Sequence, residues 1–265
     1  MISKGISLIR SRDNAQVKRL LKLAASSRER RETGTTILDG AHLVDAYCQS
    51  GGTAETLIAS ESAYADPSLR ALFERTPARE QLLLDDGLMA RISQVVTTTG
   101  LAAVVRTPGI LPLPDSVDSC LMLEGIQDPG NLGSVLRTAA ASGVRQIFLS
   151  PGSVFAWAPK VVRAGQGAHF SLSIYENVSF ESLRGRVRGT VLATMPHAEL
   201  SIFEADLRGP VAWLFGNEGA GLSRDAEALA ENRVRIPMPG GVESLNVAAA
   251  AAICLFEQVR QKLLR

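Results

Sequence analysis

Four short apolar runs, Cys120–Leu123, Gln146–Leu149, Thr190–Ala193 and Val211–Phe215, are set off along the chain by Gly, Pro or charged residues. Apart from the leading Gln146 and Thr190 they are apolar at successive instead of alternate positions, as strands buried on both faces are. This pattern predicts a parallel sheet covered by helices. Few aromatics (5%) and many glycines (23) fit an α/β chain with tight turns better than a β-sandwich. At 265 residues there is room for two domains. The boundary is expected in the Pro-rich stretch Thr107–Asp115, where Pro108, Pro112 and Pro114 disfavour helix. We therefore divide the chain into 1–106, a linker at 107–118, and 119–265. In the first part Thr36–Leu38, Thr56–Ala59, Gln81–Leu84 and Ala102–Arg106 read as strands of a smaller α/β domain.

Formal net charge is only +1, yet residues 1–31 carry nine basic groups (Lys4, Arg10, Arg12, Lys18, Arg19, Lys22, Arg28, Arg30, Arg31) against Asp13 and Glu29. Asn14 is placed to cap a helix with Val17, Leu20, Leu21 and Ala24 on one face, which turns Lys18, Arg19 and Lys22 outward. A basic end on a balanced body suits a polyanion such as RNA, with Lys18, Lys22 and Arg28 as phosphate contacts. A solvated helix face is the alternative. Cys48, Cys120 and Cys254 are widely spaced and odd in number, so no zinc or other metal site and no disulfide framework is expected. The longest uncharged runs, 92–105 and 146–159, are 14 residues each, short of the ~20 that span a membrane. A cytoplasmic protein without a membrane partner is expected.

Three polar, Gly-containing segments follow predicted strands of the second part, where open α/β sheets bind ligands. The first is Asp128-Pro-Gly-Asn131-Leu-Gly-Ser-Val-Leu-Arg137-Thr-Ala-Ala-Ala-Ser-Gly143, with Asn131 expected to cap a helix and Gly143 to end it. The second, Leu214-Phe-Gly216-Asn-Glu218-Gly-Ala-Gly-Leu222, sets a carboxylate in a Gly-rich turn. Its glycines do not form a dinucleotide fingerprint, and no P-loop pattern occurs in the chain. The third, Ile236-Pro-Met238-Pro-Gly-Gly-Val-Glu-Ser244-Leu245-Asn246-Val247, precedes an Ala-rich helix expected over about Ser244–Leu264. Taken singly, each segment is also what an ordinary capped helix or strand–turn–helix would show.

Together, in this order, they resemble the three signature motifs of the SpoU (TrmH-like) family of RNA ribose methyltransferases: N-x-G-x-x-x-R-T-A, G-N-E-G-x-G-L and I-P-M-x-G-x-x-x-S-L-N-V. The resemblance is close over about 119–265 and looser over 1–106. Ala248 stands where the family commonly has Ser, and Asp39-Gly40 where it has Glu-Gly. Neither departure touches the signature polar residues.

The resemblance implies a C-terminal parallel-sheet domain with a deep trefoil knot, an N-terminal α/β substrate-binding domain, and a homodimer built partly on the last helix. The cofactor it implies is S-adenosylmethionine (AdoMet), with Thr194, Gly216, Ile236, Met238 and Leu245 lining its pocket. Gly216 would permit close approach of the ligand. Methyl transfer to a ribose 2′-hydroxyl then falls to Arg137, Asn131, Glu218, Ser244 and Asn246. An arginine is a poor base, so Arg137 is expected to hold a phosphate and stabilise the developing alkoxide. Glu218 is the carboxylate in the motifs able to take the proton. Arg163, in Lys160-Val-Val-Arg163-Ala-Gly-Gln-Gly167, is a further candidate RNA contact. Large-subunit ribosomal RNA is the expected substrate; transfer RNA, and a non-catalytic RNA-binding protein on the same fold, are the alternatives.

Overall fold

The computed structural model describes residues 6, 8–93, 95 and 98–264. Lys4, counted above in the basic end, lies outside them. The described residues divide between two compact units, one running over Met1–Gly109 with Trp157–Phe170 and the other over Ile110–Ala156 with Ser171–Arg265. A single boundary at 107–118 leaves out Trp157–Phe170. That segment packs with the first unit because Trp157, Val161 and Val162 are buried and Thr36 Oγ1 donates to the Trp157 carbonyl at 2.6 Å.

The first unit holds β1 (Leu8–Ile9), β2 (Thr35–Asp39), β3 (Ala54–Ser60), β4 (Ala78–Leu84) and β5 (Leu101–Arg106) in the order β1-β4-β3-β5-β2. β3 is parallel to β4, and β5 runs antiparallel to both β2 and β3. Helix Ala15–Ala25 is capped by Asn14, whose Oδ1 accepts from Gln16 N at 2.9 Å. Its Val17, Leu20, Leu23 and Ala24 pack against Ile58, Leu82 and Leu84, with Leu21 at the edge. Lys18, Arg19, Lys22 and Arg28 are exposed. Arg30, counted in the basic end, is buried: it is 6% exposed and caps the end of that helix, donating through Nη1 to the carbonyls of Leu23 (2.7 Å) and Ala24 (2.9 Å). Burial first, and the neighbouring Arg31 second, lower its pKa.

In the second unit β6 (Cys120–Leu123), β7 (Gln146–Leu149), β8 (Ser173–Tyr175), β9 (Thr190–Thr194), β10 (Leu200–Ser201), β11 (Val211–Phe215) and β12 (Asn232–Arg235) form one sheet in the order β10-β12-β9-β11-β6-β7-β8. Every pairing in it is parallel. The central strands β6 and β11 are buried at every residue, which is why they read as unbroken apolar runs. From β6 the chain first builds outward through β7 and β8, then returns to build the other flank. The β6/β11 boundary is thus the switch point where a parallel sheet opens a crevice at its carboxyl edge.

Two helices carry motif residues to that edge. Helix Pro129–Ser142 ends at Gly143 in the left-handed conformation (φ 86°), as expected. Its N-cap is Asp128 and not Asn131: Asp128 Oδ1 accepts from Asn131 N at 2.7 Å. Pro129, pre-set for the first helical position, starts the helix earlier and frees the Asn131 side chain for other work. The last helix runs Val247–Leu263, capped by Asn246, so Ser244 and Leu245 stay in the loop before it.

Candidate active site

The turn after β11 is built before anything can bind to it. Asn217 and Gly221 exchange backbone hydrogen bonds (2.9 and 3.0 Å). The Asn217 side chain accepts from Gly219 N and Ala220 N (both 2.9 Å) and donates to the Gly125 carbonyl after β6 at 2.7 Å. Glu124, the residue that follows β6, accepts from the amide (2.8 Å) and hydroxyl (2.7 Å) of Ser223. The Gly-rich loop is therefore tied to its neighbour at both ends. Gly216 belongs to the same construction. A Cβ there would lie 2.3 Å from the Gly221 carbonyl carbon and 2.5 Å from Leu222 N. Its bareness is demanded by the returning loop backbone, a reason separate from the close approach of a ligand.

At this edge lies a cavity of about 500 Å³. It brings together all five residues assigned to the cofactor (Thr194, Gly216, Ile236, Met238, Leu245) and four assigned to chemistry (Asn131, Glu218, Ser244, Asn246). The sheet explains the convergence: Thr194 ends β9, where its Oγ1 donates to the Leu214 carbonyl at 3.0 Å. Gly216 and Ile236 directly follow β11 and β12. Among the described residues that line the cavity there is no Lys, Arg or His, and Glu218 is the one formal charge.

Three of these side chains form a directed chain. Asn246 Oδ1 caps the last helix, accepting from Ala248 N at 2.9 Å, so its Nδ2 is turned to Asn131 Oδ1 at 2.8 Å. Asn131 Nδ2 in turn donates to Glu218 Oε1 at 3.0 Å. Ser244 makes no hydrogen bond among the described residues, and its hydroxyl is free for a ligand.

Arg137 is not among the residues lining the cavity. It is exposed, two helical turns past Pro129, with no hydrogen bond or ion pair among the described residues. Lys18, Lys22 and Arg28 lie in the first unit, each in an ion pair of its own, with Asp13 (3.0 Å), Glu29 (2.6 Å) and Glu32 (2.6 Å). Arg163, also of the first unit, sits in helix Pro159–Gly165 with its Nη1 buried and unpartnered. Sequence reasoning missed Glu124 and Asn217 as builders of the site. Asn217 stood inside the second motif, whereas nothing in the sequence distinguished Glu124 from any carboxylate at a strand end.

Comparison with known proteins finds relatives over both parts of the chain. Residues 118–256 match the SpoU rRNA Methylase family, and residues 14–103 match an MRM3-like substrate binding domain. An uncharacterized tRNA/rRNA methyltransferase of Synechocystis sp. is 33% identical over 98% of this chain and 96% of its own. The 23S rRNA (guanosine(2553)-2′-O)-methyltransferase RlmP of Bacillus subtilis is 30% identical over 94% of this chain and 97% of its own. Among solved structures, the SpoU methyltransferase AviRb from Streptomyces viridochromogenes, in complex with the cofactor AdoMet, superposes with a TM-score of 0.83 at 26% identity. That match covers 94% of this chain and 98% of AviRb.

Proposed function

The chain belongs to the SpoU rRNA methylase family, and from that premise we propose that it methylates a ribose 2′-hydroxyl of large-subunit ribosomal RNA through the cavity just described. The observation that carries this reading is the make-up of the cavity: one carboxylate, no cationic side chain, and apolar walls from Ile236 and Met238. A volume of about 500 Å³ falls in the range of small-molecule sites, roughly 300–1,000 Å³. A pocket of this charge suits AdoMet, whose sulfur is positively charged. When bound, AdoMet supplies an electrophilic methyl group.

The chain's own task is the nucleophile, because a ribose hydroxyl is almost wholly protonated at neutral pH. Glu218 presents a carboxylate for that proton, with one oxygen held by Asn131 and the other facing no protein donor among the described residues. The Asn246–Asn131 bond keeps this carboxylate aimed, so alignment is set before substrate arrives. Ser244 offers a free hydroxyl to the ribose. Arg137, outside the cavity and without a partner, is suited to grip a backbone phosphate beside the target ribose and to stabilise charge developing on its oxygen. Lys18, Lys22, Arg28 and Arg163 are assigned to RNA on the first unit.

The homodimer belongs to the same proposal. Ala249, Phe256 and Leu263, seven residues apart, are all exposed on the last helix, with Phe256 at 48% and Leu263 at 79%. An apolar stripe of that spacing fits a second copy of the chain. Sedimentation at micromolar concentration should give a dimer, and Phe256→Glu should give a monomer.

The decisive experiment incubates the protein with labelled AdoMet and protein-free large-subunit ribosomal RNA, then maps the 2′-O-methyl position. Label in transfer RNA alone would replace the substrate, as the tRNA/rRNA name of the Synechocystis relative allows. AdoMet binding without transfer to any RNA would leave a non-catalytic RNA-binding protein.

A further inference from the structure

At one end of the first unit's sheet β2, β3 and β4 begin and β5 ends. Four charged residues sit on those strand termini: Glu55, Arg79, Glu80 and Arg106. Glu55 is the hub. Its side chain is 18% exposed and accepts from Arg106 Nε at 2.7 Å and from Arg79 Nη1 at 3.4 Å. The Arg106 hydrogen bond, and then the charges of Arg106, Arg79 and Arg19, hold its carboxyl below the ordinary range against the opposing effect of burial. Glu80 is half-buried and accepts from Gln16 and Thr56. Both carboxylates are thus engaged within the protein. The guanidiniums are not: Arg79 and Arg106 are 65% and 67% exposed. Arg79 keeps Nε and Nη2, and Arg106 both Nη atoms, free of protein acceptors among the described residues. Arg19 is exposed and makes no hydrogen bond or ion pair among them, though its charge reaches Glu55.

We propose that Arg19, Arg79 and Arg106, splayed around the shared carboxylate of Glu55, form a clamp for RNA backbone phosphates on the substrate-binding unit. The contrast with Lys18, Lys22 and Arg28 carries the argument. Each of those has its own carboxylate, whereas here three guanidiniums share one. Glu55 fixes one edge of Arg79 and of Arg106 and leaves the rest of each fork pointing outward. A pre-oriented planar fork is the geometry that recognises phosphate. Arg19 and Arg79 fall inside the segment 14–103 that matches a substrate binding domain, and Arg106 lies just beyond it. The proposal rests on the reading of the substrate as RNA.

Protein-free large-subunit ribosomal RNA is the probe, titrated between about 50 and 200 mM salt, where each phosphate contact contributes roughly 0.7–0.9 to the log–log slope. Arg79→Ala with Arg106→Ala should flatten the slope by about 1.5 and weaken binding. Arg19→Ala, which removes no protein contact, should flatten it by a little under about one. AdoMet affinity, read by calorimetry in the other unit, should stay unchanged in all of them. Wild-type slope and affinity in every variant would overturn the clamp while leaving RNA as the substrate. Wild-type protein that fails to bind this RNA at low salt would instead overturn the RNA reading, and the clamp with it.

Discussion

The hydrogen bond from Asn246 Nδ2 to Asn131 Oδ1, 2.8 Å long, can run in only one direction. Asn246 Oδ1 is taken by the first amides of the last helix, so only its NH₂ is left to face Asn131. Asn131 must then present its own NH₂ to Glu218. A helix cap thereby sets the orientation of a carboxylate through two amides.

Asn246→Asp tests that inference. An aspartate caps as well as an asparagine, so thermal stability should stay close to wild type. It has no donor for Asn131, which would then turn its carbonyl oxygen toward Glu218. Loss of a hydrogen bond to a charged group costs about 1.5–3 kcal/mol, or roughly a 10–100-fold fall in methyl transfer. Asn246→Ala should lose the rate and also about 0.5–2 kcal/mol of stability. A wild-type rate in Asn246→Asp, measured by single-turnover transfer, would rule out orientation by this chain.

Gly216→Ala should be a loop variant and not a selective ligand block. The added Cβ meets backbone atoms of Gly221 and Leu222, which have no rotamer to move. The turn held by Asn217 must shift, at a cost of order 1–3 kcal/mol. Melting temperature and AdoMet affinity should fall together. A variant with normal stability and lost binding would show that the clash is with the ligand alone.

These two cases show what was legible in the sequence. Asn131 reads in the sequence as a helix cap, which it is not, and its partner could not be read there at all. Asp128 precedes a proline that fixes the helix start, and only the fold brings Glu218, 87 residues on, beside the freed amide. The strands β6, β7 and β11 were legible to the residue because burial on both faces leaves no polar break, save the leading Gln146 of β7. β10 and β12 were not: the first is two residues long, and the second, Asn-Arg-Val-Arg, shows one buried residue in four. The cavity was anticipated as a set of motif positions. Its lack of basic residues is a property of side chains converging from three strand ends and two helix starts, and composition cannot show it.

Arg137→Ala should leave the fold and AdoMet affinity unchanged, because the side chain is exposed and holds no protein partner among the described residues. Methyl transfer should fall by about 10²–10³, the usual cost of one electrostatic group acting on the transition state. Single-turnover assays with calorimetry on the same protein check both halves. Near-normal turnover would remove Arg137 from the chemistry.

Burial pushes the thiols of Cys120 and Cys254 up to about 12. In the unfolded chain both ionise near the ordinary value of about 8.5. Stability from the neutral buried thiols is therefore full below that value and declines as pH climbs toward 12, since the unfolded state loses its protons first. The unfolding free energy from urea titrations at about pH 8 and about pH 10 should fall more in wild type than in a Cys120→Ala, Cys254→Ala variant, by roughly 2 kcal/mol per thiol. Iodoacetamide on the native protein should label only Cys48, the thiol that is not buried.

The basic end offers a separate measurement. Lys18, Lys22 and Arg28 each lean on one carboxylate, with their own side chains at least 61% exposed. Pairs that open to solvent contribute about 0–1 kcal/mol, so a triple alanine variant should melt within a few degrees of wild type. A phosphate can displace the carboxylate at little cost, which leaves these cations available to RNA. If all three make phosphate contacts, the log–log salt slope for RNA binding should flatten by roughly two to three units. Any carboxylate that keeps its partner in the complex lowers that figure by one contact. Affinity for AdoMet should not change, because the cavity lies wholly in the other unit. A slope identical to wild type would mean that this helix face is merely solvated.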